Sequence, residues 1–211
     1  TKLIFMSSKI SFFMMWIIAM PVIVNAGYLL SLWLVNVPAY TEQFVILTLV
    51  FSLFDAMAGP FWMTVQATGK IRRYQIIVST IICLNLPLAY LVLKMGLSPA
   101  WVLAIKNAIN FCLCCWRIVY MKRLIEFPVL KAFSSVMFRP FAVAALTSVP
   151  ICYIGSLFEP SMCKLLITTA VSTALSLVFI VFLGFDSTER KGIFNLISRN
   201  IRVLNNAEAS K

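Results

Sequence analysis

The chain has 211 residues, 62% of them hydrophobic and 12% charged, with 18 Lys and Arg against 7 Asp and Glu and no His. Soluble domains are about half apolar and a quarter charged, so this composition excludes an ordinary soluble domain and points to a membrane protein. The positive balance does not indicate nucleic acid, because the basic residues fall between apolar runs, where they orient spans.

Taken in chain order, runs long enough to cross the bilayer lie near 12–34, 44–66, 75–93, 100–120, 139–158 and 164–184. The first has a rival reading as a cleavable signal, with Lys2 and Lys9, an apolar core from Phe12 to Val24, and Val24-Asn25-Ala26 as its three parts. The run continues through Gly27 to Val35, and that length favours a span. Because the chain opens on Thr1 almost directly before a span, it reads as a piece of a longer polypeptide.

Charge then orients the spans. Lys2 and Lys9 precede the first, Lys70, Arg72 and Arg73 follow the second, and Lys122, Arg123, Lys131 and Arg139 follow the fourth. Arg190, Lys191, Arg199 and Arg202 follow the sixth, whereas the alternate loops carry only Lys94 and Lys164. Positive-inside reasoning places both ends of the chain in the cytoplasm. Residues 1–186 therefore read as a six-helix transmembrane domain and 187–211 as a cytoplasmic basic tail. In that tail Ile193, Ile197, Ile201 and Leu204 recur at helical spacing, the pattern of an amphipathic helix lying on membrane lipids. Residues 128–137, opening with Pro128, carry a shorter version.

The polar residues inside spans are the candidates for function, since an ionisable group in hydrocarbon costs at least about 2.5 kcal/mol and normally faces a bundle interior or a watery cavity. In the second span Asp55, Gly59, Trp62 and Gln66 fall on one helical stripe. In the fourth, Lys106, Asn110 and Arg117 form another. With the two spans taken to run in opposite directions, Asp55 is expected to pair with Lys106, either as a switching couple in a transport cycle or as a static ion pair that fixes packing. Arg117 either lines a cavity or snorkels to the cytoplasmic surface. Pro60 removes a backbone donor beside Asp55 and Gly59 admits a close neighbour, so a bend is expected there; Asn85 and Pro87 mark a similar weak point in the third span. Pro21 and Pro150 interrupt the first and fifth. Thr168, Ser172 and Ser176 read as a packing face.

Metal binding is not expected: five of the six cysteines lie in apolar runs, Cys163 sits at the edge of one, and Cys112, Cys114 and Cys115 have neither His nor an acid beside them. No catalytic residue and no cofactor is expected either. An integral-membrane enzyme needs convergent acids, His or a metal, and Asp55 is alone within its span.

The segments SLWLVNVPAYTEQF, GPFWMTVQATGKIRRYQ and NLPLAYLVLKMG together resemble the C-terminal part of bacterial polysaccharide biosynthesis proteins, the O-antigen or lipid-linked oligosaccharide flippases of the MOP exporter superfamily, relatives of the multidrug and toxin extrusion transporters. The likeness covers essentially the whole chain, is sharpest from Ser31 to Gly96, and is most specific at the turn from Gln66 to Lys70. It implies an all-α polytopic fold, the chain supplying six helices of a two-lobed transporter whose N-terminal lobe lies elsewhere in the same polypeptide. It also implies an undecaprenyl-diphosphate-linked oligosaccharide as the cargo, the bacterial inner membrane as the location, and a polysaccharide polymerase and glycosyltransferases as possible partners. A multidrug exporter of the same superfamily is the alternative, and a purely structural membrane subunit gives no reason for two polar stripes.

Overall fold

The computed structural model describes residues 1–157 and 159–185. The basic tail from 187 onward lies outside the described residues. Among those described there is no strand, and six helical segments are long and apolar enough to cross a membrane. They are α1 (Lys2–Val24), continued by α2 (Ala26–Trp33); α3 (Thr41–Ala67); α4 (Ile71–Cys83) with α5 (Asn85–Lys94); α6 (Ala100–Leu124); α7 (Val129–Ala132) running into α8 (Arg139–Leu157); and α9 (Met162–Phe179). The outward surface is rich in exposed Met14, Ile18, Ile76, Leu86, Leu91, Val149, Leu166 and Phe182. Such a surface is stable in hydrocarbon, where the chain satisfies its backbone within each helix.

Two boundaries differ from the expected ones. The first helix begins at Lys2, not near residue 12, so that Lys9 lies within it and is fully buried instead of flanking it. An amphipathic surface helix over 128–137 is not separate: Val129–Leu157 is one continuous helical segment, with a wide π-helical stretch at Phe133–Phe138 joining α7 to α8.

The prolines act through specific backbone groups. Pro21 has no N–H to give the preceding turn, and α1 ends one turn later, where the buried Asn25 side chain donates to Pro21 O (2.9 Å) and to Thr168 Oγ1 of α9 (2.7 Å). At Pro60 the helix continues without interruption. Its carbonyls find extra donors there: Thr64 Oγ1 donates to Pro60 O (2.7 Å) and the buried Ser8 hydroxyl of α1 to Met57 O. The third span does divide, at Leu84, between α4 and α5 and three residues before Pro87.

Alpha-1 is the central element. It packs on α3, α8 and α9, while α6 covers the other side of α3 and α5 lies against α6. Of the most apolar stretch of α1, 44% is buried, against 11% for the span Ile71–Lys94, which places the α4–α5 pair on the periphery. The Thr168, Ser172 and Ser176 row is fully buried, as a packing face requires. After α9 a second π-helical stretch, Ile180–Gly184, brings Gly184 against the Phe13 ring.

Gly69 and Gly184 are among the glycines that geometry requires. Gly69 takes φ +71° directly after α3 and its N–H bonds to Gln66 O (3.0 Å), so the turn from Gln66 to Lys70 is a helix stop that a left-handed residue completes. At Gly184 an added Cβ would come within 2.7 Å of Phe13 Cζ. Gly184→Val is therefore expected to destabilise the fold by about 1–3 kcal/mol, the usual cost of overpacking. Gly69→Ala is expected to cost about 1 kcal/mol through the left-handed backbone. Reversible unfolding of the purified protein in mixed micelles would measure both, and an unchanged midpoint for Gly184→Val would contradict the packing of Gly184 against Phe13.

Candidate functional site

The two polar stripes meet where α3 and α6 pack, and the hydrogen bonds between these helices fix their register. Asn107 Nδ2 donates to Leu47 O (2.9 Å) and Asn110 Nδ2 to Phe51 O (3.3 Å), so residue numbers rise together along both helices. Helices α3 and α6 are parallel. The opposite directions expected from the sequence are thus corrected, and the reason is topological: two antiparallel reversals separate the second span from the fourth.

This register separates the expected ion pair. Lys106 lies level with the region of Leu47, while Asp55 lies level with Cys114 and Cys115, roughly 12 Å further along at about 1.5 Å per residue. Among the described residues Asp55 and Lys106 make no ion pair; Lys106 Nζ sits over the Phe51 ring, 4.4 Å from its centroid. The exposed ammonium there is held by the ring's negative face, a contact worth about 0.5–1 kcal/mol. Asn110 is buried, and its Nδ2 ties α6 to the α3 backbone.

The second-span stripe faces outward. Asp55, Trp62 and Gln66 are exposed and Gly59 is half-buried, because the opposite face of α3, with Leu53, Met57, Ala58, Phe61 and Val65, is the one buried against α1 and α6. A carboxylate and an amide at membrane depth on the outside of this six-helix body are unsuited to lipid contact.

Arg117 is the member of the stripes that goes inward. It is 9% exposed, its Nε is buried without a hydrogen-bond partner, and among the described residues no acid lies within ion-pair distance. Beside it lies Tyr74 of α4, 1% exposed, whose hydroxyl is also buried, without a well-formed hydrogen bond. Arg117 is the charge acting most strongly on that hydroxyl, with Cys114 and, more weakly, Asp55 also in range. Tyr74, Trp116 and Tyr120 form a ring cluster, with centroids 5.6 Å apart for Tyr74–Trp116 and 4.8 Å for the stacked Trp116–Tyr120 pair. Tyr74, Asn107 and Ser8 escape a stripe-based reading of the sequence. Asn107 could have been found as a second amide beside Lys106 in an apolar run, whereas Tyr74 and Ser8 give no signal until their helices are docked.

Six apolar spans with interhelical polar ties define a multi-pass membrane protein. Compared with protein-family models, curated proteins and solved structures, the chain matches none.

A double-mutant cycle with Asp55→Asn and Lys106→Gln is expected to give a coupling energy under about 0.5 kcal/mol, as for groups without a shared partner. A coupling above about 1.5 kcal/mol, measured by unfolding, would restore the direct pair.

Proposed function

We propose that this chain is the C-terminal six-helix lobe of a flippase that moves an undecaprenyl-diphosphate-linked oligosaccharide across the bacterial inner membrane for polysaccharide or lipopolysaccharide biosynthesis. The observation that carries the reading is the outward polar stripe of α3: Asp55, Gly59, Trp62 and Gln66 lie at membrane depth on a face that the other spans leave open. A face of this kind suits the wall of a water-filled cavity, and an N-terminal lobe in the same polypeptide would supply the opposite wall. Lys106, exposed on α6, adds positive charge toward the outer end of the same helix pair. In this reading both ends of the chain are cytoplasmic, so the loops with Lys70, Arg72, Arg73, Lys122 and Arg123 face the cytoplasm, where charge at the bilayer surface is anionic. The O-antigen polymerase and glycosyltransferases would act on the same lipid-linked glycan before and after transfer.

The multidrug exporter alternative shares the architecture and differs in cargo. The gene encoding this chain, expressed in a strain that lacks its own flippase, separates the two. Wild type is expected to restore outer-leaflet glycan, and Asp55→Asn and Gln66→Ala to lower the display at least about tenfold at matched protein levels, the effect of roughly 1.4 kcal/mol on a rate. Undiminished rescue by both variants would discard the α3 face as the site. Dye efflux without any glycan display would transfer the reading to the exporter.

A further inference from the structure

Arg117 presents an unsolved problem of charge. A guanidinium remains protonated in a protein, and this one is buried near the membrane with no acid at ion-pair distance among the described residues. Its Nε is buried without a partner, and the Tyr74 hydroxyl, buried without a well-formed hydrogen bond, faces the same guanidinium. Two such donors that meet between α4 and α6 are complementary to an oxyanion, and an Arg fork with a phenol suits a phosphate well.

Position narrows the source. Tyr74 lies on the first turn of α4, directly after Lys70, Arg72 and Arg73, which are all exposed. Arg117 lies two turns before the end of α6, which carries exposed Lys122 and Arg123. The Trp116 and Tyr120 rings stack beside the two donors, the amphipathic kind of side chain that gathers at headgroup level. The site thus has a cationic mouth toward the basic end of the bundle and an aromatic wall, on the peripheral α4 side where lipid has access.

We propose that Arg117 and Tyr74 form a binding site for the phosphate of an anionic phospholipid of the adjoining leaflet, held between α4 and α6 and separate from the outward stripe of α3. The chemistry is that of any phosphate; the depth and the aromatic wall favour a headgroup over a soluble ion. Only the naming of the leaflet rests on the orientation proposed above. The neighbouring acid, Asp55, is the competing internal counter-ion, since it lies within electrostatic range of Tyr74 on the adjacent helix.

Native mass spectrometry of the purified full-length protein, delipidated and then offered phosphatidylglycerol or phosphatidylcholine, tests this, with thermal midpoints taken in the same micelles. Wild type is expected to retain phosphatidylglycerol at least about tenfold better than phosphatidylcholine and to gain several degrees with it. Arg117→Gln should lose both effects. Tyr74→Phe, which keeps the packed ring, should weaken retention about three- to tenfold, the equivalent of one hydrogen bond. Asp55→Asn should leave retention unchanged or raised. Equal retention by wild type and Arg117→Gln would overturn the proposal, as would a stable wild type that binds no anionic lipid. Loss of Arg117-dependent stability in Asp55→Asn would also overturn it, by making Asp55 the counter-ion. The same midpoint shift with inorganic phosphate alone would overturn the lipid assignment and support a soluble oxyanion at the same two donors. None of these readouts involves transport, so failure here is distinguishable from failure of the flippase reading.

Discussion

Hydrocarbon offers no hydrogen bonds, and the polar contacts between helices in this bundle follow from that fact. Backbone groups are satisfied mostly within helices, and near two of the prolines a side chain adds a second donor to a neighbouring carbonyl. Ser8 reaches Met57 O one turn before Phe61, and Asn25 reaches back to Pro21 O while also holding Thr168. Trp16 Nε1 donates to Thr147 Oγ1 at 3.0 Å. Interhelical polar contacts of this kind contribute modestly, averaging about 0.6 kcal/mol each. Their greater effect is on register, because a buried amide placed one residue away would be left unpaired.

Register is what links packing to the candidate site. Asn107 and Asn110 fasten α6 to two successive turns of α3, and this alone decides which polar residues share a level. Lys106 is carried toward the N-terminal half of α6 and the aromatic face of Phe51, whereas Arg117 arrives beside Tyr74. The same docking buries the apolar face of α3 and leaves the Asp55 stripe open. The placement of charged groups on the two helices thus follows from the interhelical amides.

Much of this architecture was legible in the sequence. Six long apolar runs and the alternation of basic loops were enough for an all-helical, six-span reading, because both signals are local and strong. The Thr168, Ser172 and Ser176 row was legible for a similar reason: small residues at spacing four have few uses other than close packing. The direction in which a stripe points was not legible. Both faces of a membrane helix are apolar, so the sequence shows that Asp55 and Gln66 share a side without showing whether that side is covered. The pairing of Asp55 with Lys106 failed on relative height, which depends on how α3 and α6 slide past each other. Lys9 shows the converse: it reads as a flanking charge, yet the helix starts early enough to bury it.

The central position of α1 has a consequence for how the protein is made. Its polar side chains find their partners far downstream: Ser8 at a separation of 49 residues, Trp16 at 131 and Asn25 at 143. At the ordinary pace of synthesis, about 5–20 residues per second, the last of these intervals takes roughly 7–30 s. For that time the helix at the heart of the bundle has left the ribosome while α9, which will accept its amide, has not yet been translated. Until α9 is made, the Asn25 amide has the Pro21 carbonyl of its own helix as its partner. The peripheral α4–α5 span, with little buried surface to match, can enter the lipid as soon as it emerges.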